Sequence, residues 1–251
     1  MPMYAVISDI HGNLEALEAV LEDIPEEVDA IYCLGDVIGY GASPNECCEL
    51  IRERGIPVIS GNHDLAVTDP ETDLAWFNPV AAQAVEWTRD QITADNASFL
   101  YSLPREMEHR GAFFVHGSVR DPDEYILNSA TAGDNLSVLK HEHPETPICF
   151  FGHTHVKAIA PFPQSQAPVG PSEPIDLSKD GPYLVNPGSV GQPRDGDVFA
   201  SYVLAEGTEP DSERTPSIAY RFVDYDLAGA QARIRDAGLP AVLADRLAQG
   251  R

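Results

Sequence analysis

Five short apolar runs in this 251-residue chain each stop, within one to three residues, on an Asp, Asn or His. Tyr4–Ser8 leads to Asp9 and His11, Ala30–Leu34 to Asp36, and Pro57–Ser60 to Asn62 and His63. Ala112–Val115 leads to His116, and Ile148–Phe151 to His153 and His155. Runs of this length bounded by turn residues read as buried strands. Strands that share a direction bring their C-terminal ends to one edge of a sheet, where open α/β folds bind their ligands. Eight metal- or proton-handling side chains at such ends argue for one shared site, and the site they suit is a metal site.

Helices fall between the runs. Asn13 is a good N-cap for a helix whose apolar face is Leu14, Leu17, Val20, Leu21 and Ile24, closed by Pro25. After the glycine-rich stretch 35–41, Ser43 caps a second helix, with Pro44 at its first position and Glu46 completing a capping box. That helix runs to about Arg54, and Gly55 ends it. Strand–helix–strand units joined this closely imply parallel pairing with right-handed crossovers. Asn78-Pro79 opens a helix to about Ile92, and a shorter one spans Ala97 to Leu103. Beyond residue 105 short strands dominate (105–108, 112–115, 148–151, 156–160, 183–185, 200–205 and 218–225), interrupted by one helix over about 132–141. Two more helices are expected near 227–237 and 239–249. The order predicts two mixed sheets packed face to face with helices outside, a four-layer α/β/β/α sandwich. Residues 1–226 read as one domain with an exposed, mobile Pro-rich insertion at 161–182, and 227–251 as a helical appendage of that domain.

Charge narrows the partners. Forty acids against 16 bases give a net charge of −24. Such a surface repels polyanions, so long DNA or RNA is a disfavoured substrate. No apolar run approaches the ~20 residues of a membrane span. The first strand begins near residue 4, which leaves no room for a secretory signal, so a cytoplasmic protein is expected. Cys33, Cys47, Cys48 and Cys149 show no C-x-x-C spacing and are expected to be reduced thiols. Gly39-x-Gly41 lacks the third glycine of a dinucleotide fingerprint, the P-loop motif is absent, and Gly117-Ser118 lacks the G-x-S-x-G elbow.

The strand-end chemistry is consistent across the blocks. Asp9-x-His11 and His153-x-His155 are i, i+2 pairs, and alternate side chains of extended backbone point the same way. Imidazole and carboxylate without thiolate suit borderline divalent metals and do not suit calcium, which takes six or more oxygens.

In order, the blocks D-x-H, G-D, G-N-H-D, H-G and G-H-x-H resemble the calcineurin-like metallophosphoesterase superfamily. Ser8-Asp9-Ile10-His11-Gly12-Asn13, Gly35-Asp36-Val37-Ile38-Gly39-Tyr40-Gly41 and Asn186-Pro187-Gly188-Ser189-Val190 resemble more closely its small prokaryotic phosphodiesterase branch. The resemblance covers roughly residues 4–205. It implies two divalent ions bridged by Asp36, with Mn²⁺ favoured and Fe, Zn²⁺, Co²⁺ or Ni²⁺ also acceptable. Asp9, His11 and His155 would complete one site, and Asn62, His116 and His153 the other. His63 would protonate the leaving oxygen, oriented by Asp64 or a neighbouring carboxylate. Asn13 is expected beside the ligands and, with Arg120 and Arg194, on the substrate. Tyr40, Trp76 and Phe77 could line a pocket for a base or aromatic ester, although aromatic residues at helix starts are more often core.

The implied activity is hydrolysis of a small, soluble, nucleotide-like phosphodiester. A phosphoprotein phosphatase, a dinucleoside polyphosphate hydrolase and a non-catalytic binding scaffold are the alternatives. Oligomeric state is not readable from the chain.

Overall fold

The computed structural model describes residues 3–146, 148–161, 173–177, 181–209 and 215–251. The first sheet contains β1 (Met3–Ile7), β2 (Ala30–Cys33), β7 (Ile175–Asp176), β9 (Ala200–Glu206) and β10 (Ser217–Val223), in the order β2-β1-β9-β10-β7. The second contains β3 (Glu106–His109), β4 (Ala112–Val115), β5 (Ile148–Phe150), β6 (Ala158–Ala160) and β8 (Tyr183–Asn186), in the order β3-β4-β5-β8-β6. Both are mixed. In the first, β1 pairs parallel with β2 and antiparallel with β9. In the second, β4-β5 and β5-β8 are parallel, while β3 and β6 run antiparallel at the edges.

Strand alternation builds the layers. Tyr4 and Val6 of β1 point between the sheets, where they meet Phe114 and Phe150 of β4 and β5. Ala5 and Ile7 point the other way, into a core shared with helices α1 (Leu14–Asp23), α2 (Pro44–Glu53), α7 (Leu227–Asp236) and α8 (Ala241–Leu247). On the far side, Phe113 and Cys149 pack with Ala132 and Leu139 of α6 (Ser129–Glu142). The result is the expected α/β/β/α sandwich. Between the sheets the rings of Tyr4 and Phe150 meet edge-on at 6.0 Å. Such contacts stiffen the floor on which the site is mounted.

Four local departures from the sequence reading stand out. The run at 57–60 makes a single parallel bridge, Cys33 to Val58, because Pro57 lacks an N–H and the Ser60 N–H goes to the Pro104 carbonyl. A helix absent from that reading, α3 (Asn62–Thr68), starts at Gly61, where Asp64 closes the first turn onto the Gly61 N–H at 3.0 Å. Between the expected α4 (Pro79–Gln91) and α3 lies a short 3₁₀ turn, Leu74–Trp76. Helix α5 (Ala94–Tyr101) starts three residues earlier than expected, at the Thr93 cap.

Most of the Pro-rich insertion, with its expected exposure and mobility, lies outside the described residues. Among the described residues, no helix is long and apolar enough to cross a membrane. The four cysteines are free and buried.

Candidate metal centre

Asp9 and His11 stand on the turn after β1, Asp36 on the turn after β2, His116 on the end of β4, and His153 and His155 on the turn after β5. Asn62 and His63 open α3. All the Asp and His members are buried to 4% exposure or less. Among the described residues, six non-glycine positions have φ between +51° and +64°, and five of them are Asp9, His11, Asp36, His153 and His155. Left-handed backbone at side-chain-bearing residues costs free energy, and its concentration here is what an over-determined site looks like.

The surrounding chain holds these turns from several sides. Ser8 Oγ donates to Asp9 Oδ2 at 2.6 Å, and the His153 N–H donates to the same oxygen at 3.1 Å. Ser189 Oγ donates to the Asp9 carbonyl at 2.8 Å, and Asn186 Nδ2 to the Gly152 carbonyl at 2.8 Å. The Asn186–Ser189 motif thus ties the β5 turn to the β1 turn. Gly61 and Gly152 permit the close approach: a Cβ on Gly61 would lie 2.1 Å from Asp36 Oδ1, and one on Gly152 2.1 Å from Ser8 Oγ.

Three imidazoles direct Nδ1 at backbone carbonyls: His11 at Ile38 (3.1 Å), His116 at Leu34 (2.8 Å) and His155 at Gln192 (2.6 Å). A carbonyl can only accept, so each Nδ1 carries a proton, and Nε2 is the nitrogen each ring turns inward. The Nε2 atoms of His11 and His155 then face one another at 3.0 Å. Two ring nitrogens so close, with the Asp9 carboxylate 3.3 Å from His155 Nε2, form a donor set that suits a cation. Buried Asp9 Oδ1 and His153 Nε2 have no hydrogen-bond partner, although such atoms are nearly always paired. Asp9, His11 and His155 make one cluster of potential ligand atoms; Asp36, His116 and His153 make another. Asp36 Oδ2 stands between them, 3.6 Å from His11 Nε2 and 3.4 Å from His116 Nε2. Asn62 Oδ1 lies 3.1 Å from His116 Nε2. The donors fit a pair of divalent ions.

The remaining expected residues are placed as follows. His63 is buried with Nδ1 unpaired, and its ring is wedged against Tyr40 (4.5 Å), His11 (5.0 Å) and Phe77 (5.2 Å). Asp64 gives its oxygens to the N–H groups of Ile38 and Gly61. The position of His63 therefore comes from ring packing and from its own N–H, which donates to Asp36 Oδ1 at 2.8 Å. Asn13 caps α1 through the Ala16 N–H and donates to the Gly191 carbonyl at 2.9 Å, so both ends of its amide serve the backbone. Arg120 is engaged elsewhere, by Asp134 at 2.9 Å and Glu124 at 3.5 Å. Arg194 does reach the site: its guanidinium lies 5.5 Å from the Tyr40 ring centroid, and its charge acts on His63, His153 and His155. Trp76 is 89% exposed, while its neighbour Phe77 meets His63. The sequence reading missed Tyr125, whose ring centroid is 3.9 Å from that of His153.

Protonation follows from burial and neighbours. Burial would raise Asp9 and Asp36, but the imidazoles of His155 and His116 respectively outweigh it and hold both carboxyls below the usual range. Burial would lower His116, yet Asp36 lifts it to about 10. Burial pulls His63 down to about 3, His153 to about 4 and His155 well below 6.5. These three imidazoles take up protons on unfolding between pH 6.5 and about 4, so stability falls as pH falls through that window. Asp64, raised by burial and by Asp36, offsets one of the three. His116 is protonated in both states there and adds no slope. The denaturation midpoint of chelator-treated protein should therefore drop from pH 6.5 to pH 5. A flat or rising midpoint would show that the rings are not held neutral.

Comparisons with known proteins agree with this geometry. A family model described as the calcineurin-like phosphoesterase superfamily domain matches residues 3–209. An uncharacterized protein of Methanocaldococcus jannaschii is 39% identical over 99% of this chain and 98% of its own length. The crystal structure of a metallophosphoesterase from Sphaerobacter thermophilus is 42% identical, with a TM-score of 0.82 covering 100% of this chain and 99% of that one. That of a hypothetical protein from Pyrococcus horikoshii, 23% identical over 100% and 99% of the two chains with a TM-score of 0.80, shares the fold.

Proposed function

This chain belongs to the calcineurin-like phosphoesterase superfamily, and from that premise we propose that it is a dinuclear metal-dependent phosphodiesterase for small, soluble, nucleotide-like esters. The observation that carries this reading is Asp36 Oδ2, a single carboxylate oxygen shared between two imidazole clusters at 3.6 and 3.4 Å. Asp9, His11, Asp36 and His155 would hold one ion, and Asp36, Asn62, His116 and His153 the other. Mn²⁺ is the favoured occupant, although these nitrogen and oxygen donors also accept Fe, Zn²⁺, Co²⁺ or Ni²⁺. Bound there, the ions supply Lewis acidity and an acidified water at neutral pH.

The residues around the clusters have separate tasks. Arg194, at the Tyr40 ring, meets the ester's charge. Ring packing against Tyr40 and Phe77 holds His63 beside His11, where it protonates the departing oxygen. An acidic surface of net charge −24 disfavours long polyanions and leaves small esters as the suitable class.

Chelation should abolish hydrolysis of bis-(4-nitrophenyl) phosphate, and Mn²⁺ should restore it. The companion measurement is kcat/KM on 4-nitrophenyl phosphate. A monoester preference above about tenfold, ~1.4 kcal/mol of transition-state energy, overturns the diester assignment. Metal-loaded protein inert toward both esters overturns the phosphoesterase reading itself.

A further inference from the structure

We propose that Tyr125, clamped over His153 at the mouth of the site, is the specificity-determining residue, a stacking platform that selects esters carrying a flat heteroaromatic group such as a nucleobase. The inference rests on the phosphoesterase reading above and adds the substrate's second half to it. Tyr125 is 47% exposed, yet its ring centroid lies 3.9 Å from that of His153 at a tilt of 34°. With one face against His153, the exposed area lies on the opposite face and the ring edge.

The residues on either side of Tyr125 fix it in place. Glu124 Oε2 accepts from Ser118 Oγ at 2.7 Å and from Asn135 Nδ2 at 2.8 Å. Ile126 is buried in the core beneath α6. Arg120 strengthens the clamp, bridging Glu124 and Asp134. A half-exposed aromatic ring held this firmly spends little further entropy when a ligand lands on it.

The ring stands directly on a metal-ligand imidazole. Burial raises the Tyr125 phenol and the Arg194 guanidinium pulls against it, while Tyr40, Asp36 and Asp9 also act on it. The phenol is therefore within electrostatic reach of both the metal-ligand carboxylates and the cation assigned to the phosphate. A nucleotide whose phosphate meets Arg194 can lay its base on the outer Tyr125 face. Base–aromatic stacking is worth enough to be measured by substitution.

The test is calorimetric binding of adenosine 5′-monophosphate and ribose 5-phosphate, which differ by the base, to Mn²⁺-loaded protein. The wild type should bind the nucleotide at least about tenfold more tightly. Tyr125→Leu should reduce that ratio to within about twofold of unity, and Tyr125→Phe should retain it, because the ring and not the hydroxyl carries the effect. As inhibitors of bis-(4-nitrophenyl) phosphate hydrolysis, the two ligands should show the same ratios in their effect on KM. A wild type with no base preference overturns the proposal, as does a Leu variant that keeps it or a Phe variant that loses it. Binding with the expected ratios but no hydrolysis of any ester would leave the platform standing and remove the enzymatic reading instead.

Discussion

Asp36→Asn is expected to reduce hydrolysis of bis-(4-nitrophenyl) phosphate at least about a thousandfold, roughly 4 kcal/mol of transition-state stabilisation. Metal content should fall at the same time, from two ions per chain to one or fewer. The substitution preserves shape: an amide oxygen can still accept the His63 N–H that Asp36 Oδ1 accepts at 2.8 Å, so α3 keeps its start. What is lost is negative charge at the one atom common to both clusters. Asp9 then remains the sole carboxylate in the two clusters, among neutral donors, which is poor compensation for a pair of divalent ions. Circular dichroism would confirm folding, and plasma emission spectrometry would count the metal. A variant holding both ions with near wild-type turnover would remove the bridging role.

His63→Asn should lower kcat by about 10²–10⁴ on esters with alkoxide leaving groups, the usual range for losing a positioned proton donor. The loss should be much smaller with 4-nitrophenolate, which departs without a proton, and metal content should not change. Burial keeps His63 neutral at pH 7 on its own, with its pKa at about 3, so the ring must gain a proton as an anion arrives. A phosphate charge beside the ring offsets the burial. Inorganic phosphate binding to loaded protein should therefore take up a proton, read as a binding enthalpy that varies with the buffer's own ionisation heat, and the Asn variant should show less. Equal uptake in both proteins, or equal losses on both leaving groups, would assign the proton elsewhere.

The sandwich and the convergence of its strand ends were legible because both depend on patterns the chain displays locally. Alternation in Tyr4–Ile7 and Ala112–Val115 sorts residues between the two faces, and the Asp and His residues that follow land on one edge. Helix α3 was not legible from apolar periodicity, since Asn62-His63-Asp64 opens it with polar residues. The spacing of Gly61 and Asp64 was the available signal, one turn closing on itself.

Roles that depend on contacts distant in the chain were the least readable. Whether Arg120 or Arg194 reaches the site is decided by Asp134 and Glu124 in one case and by Tyr40 in the other. Glu124 lies only four residues from Arg120, but Asp134 and Tyr40, which complete the two outcomes, are far from either arginine in sequence. The sequence around Asn13 does not show that its amide is bonded to Gly191, 178 positions away. Tyr125 follows His116 by nine residues and sits in no motif, so only the fold reveals that its ring covers His153.

The two halves of the donor set ride on different sheets. Asp9, His11 and Asp36 follow strands of the first; His116, His153 and His155 follow strands of the second. Whatever draws their facing ligand atoms together also rivets one wall of the sandwich to the other along its upper rim, above the aromatic rings and the Tyr220 hydroxyl that join the sheets lower down. Chemistry and architecture therefore share one fastening.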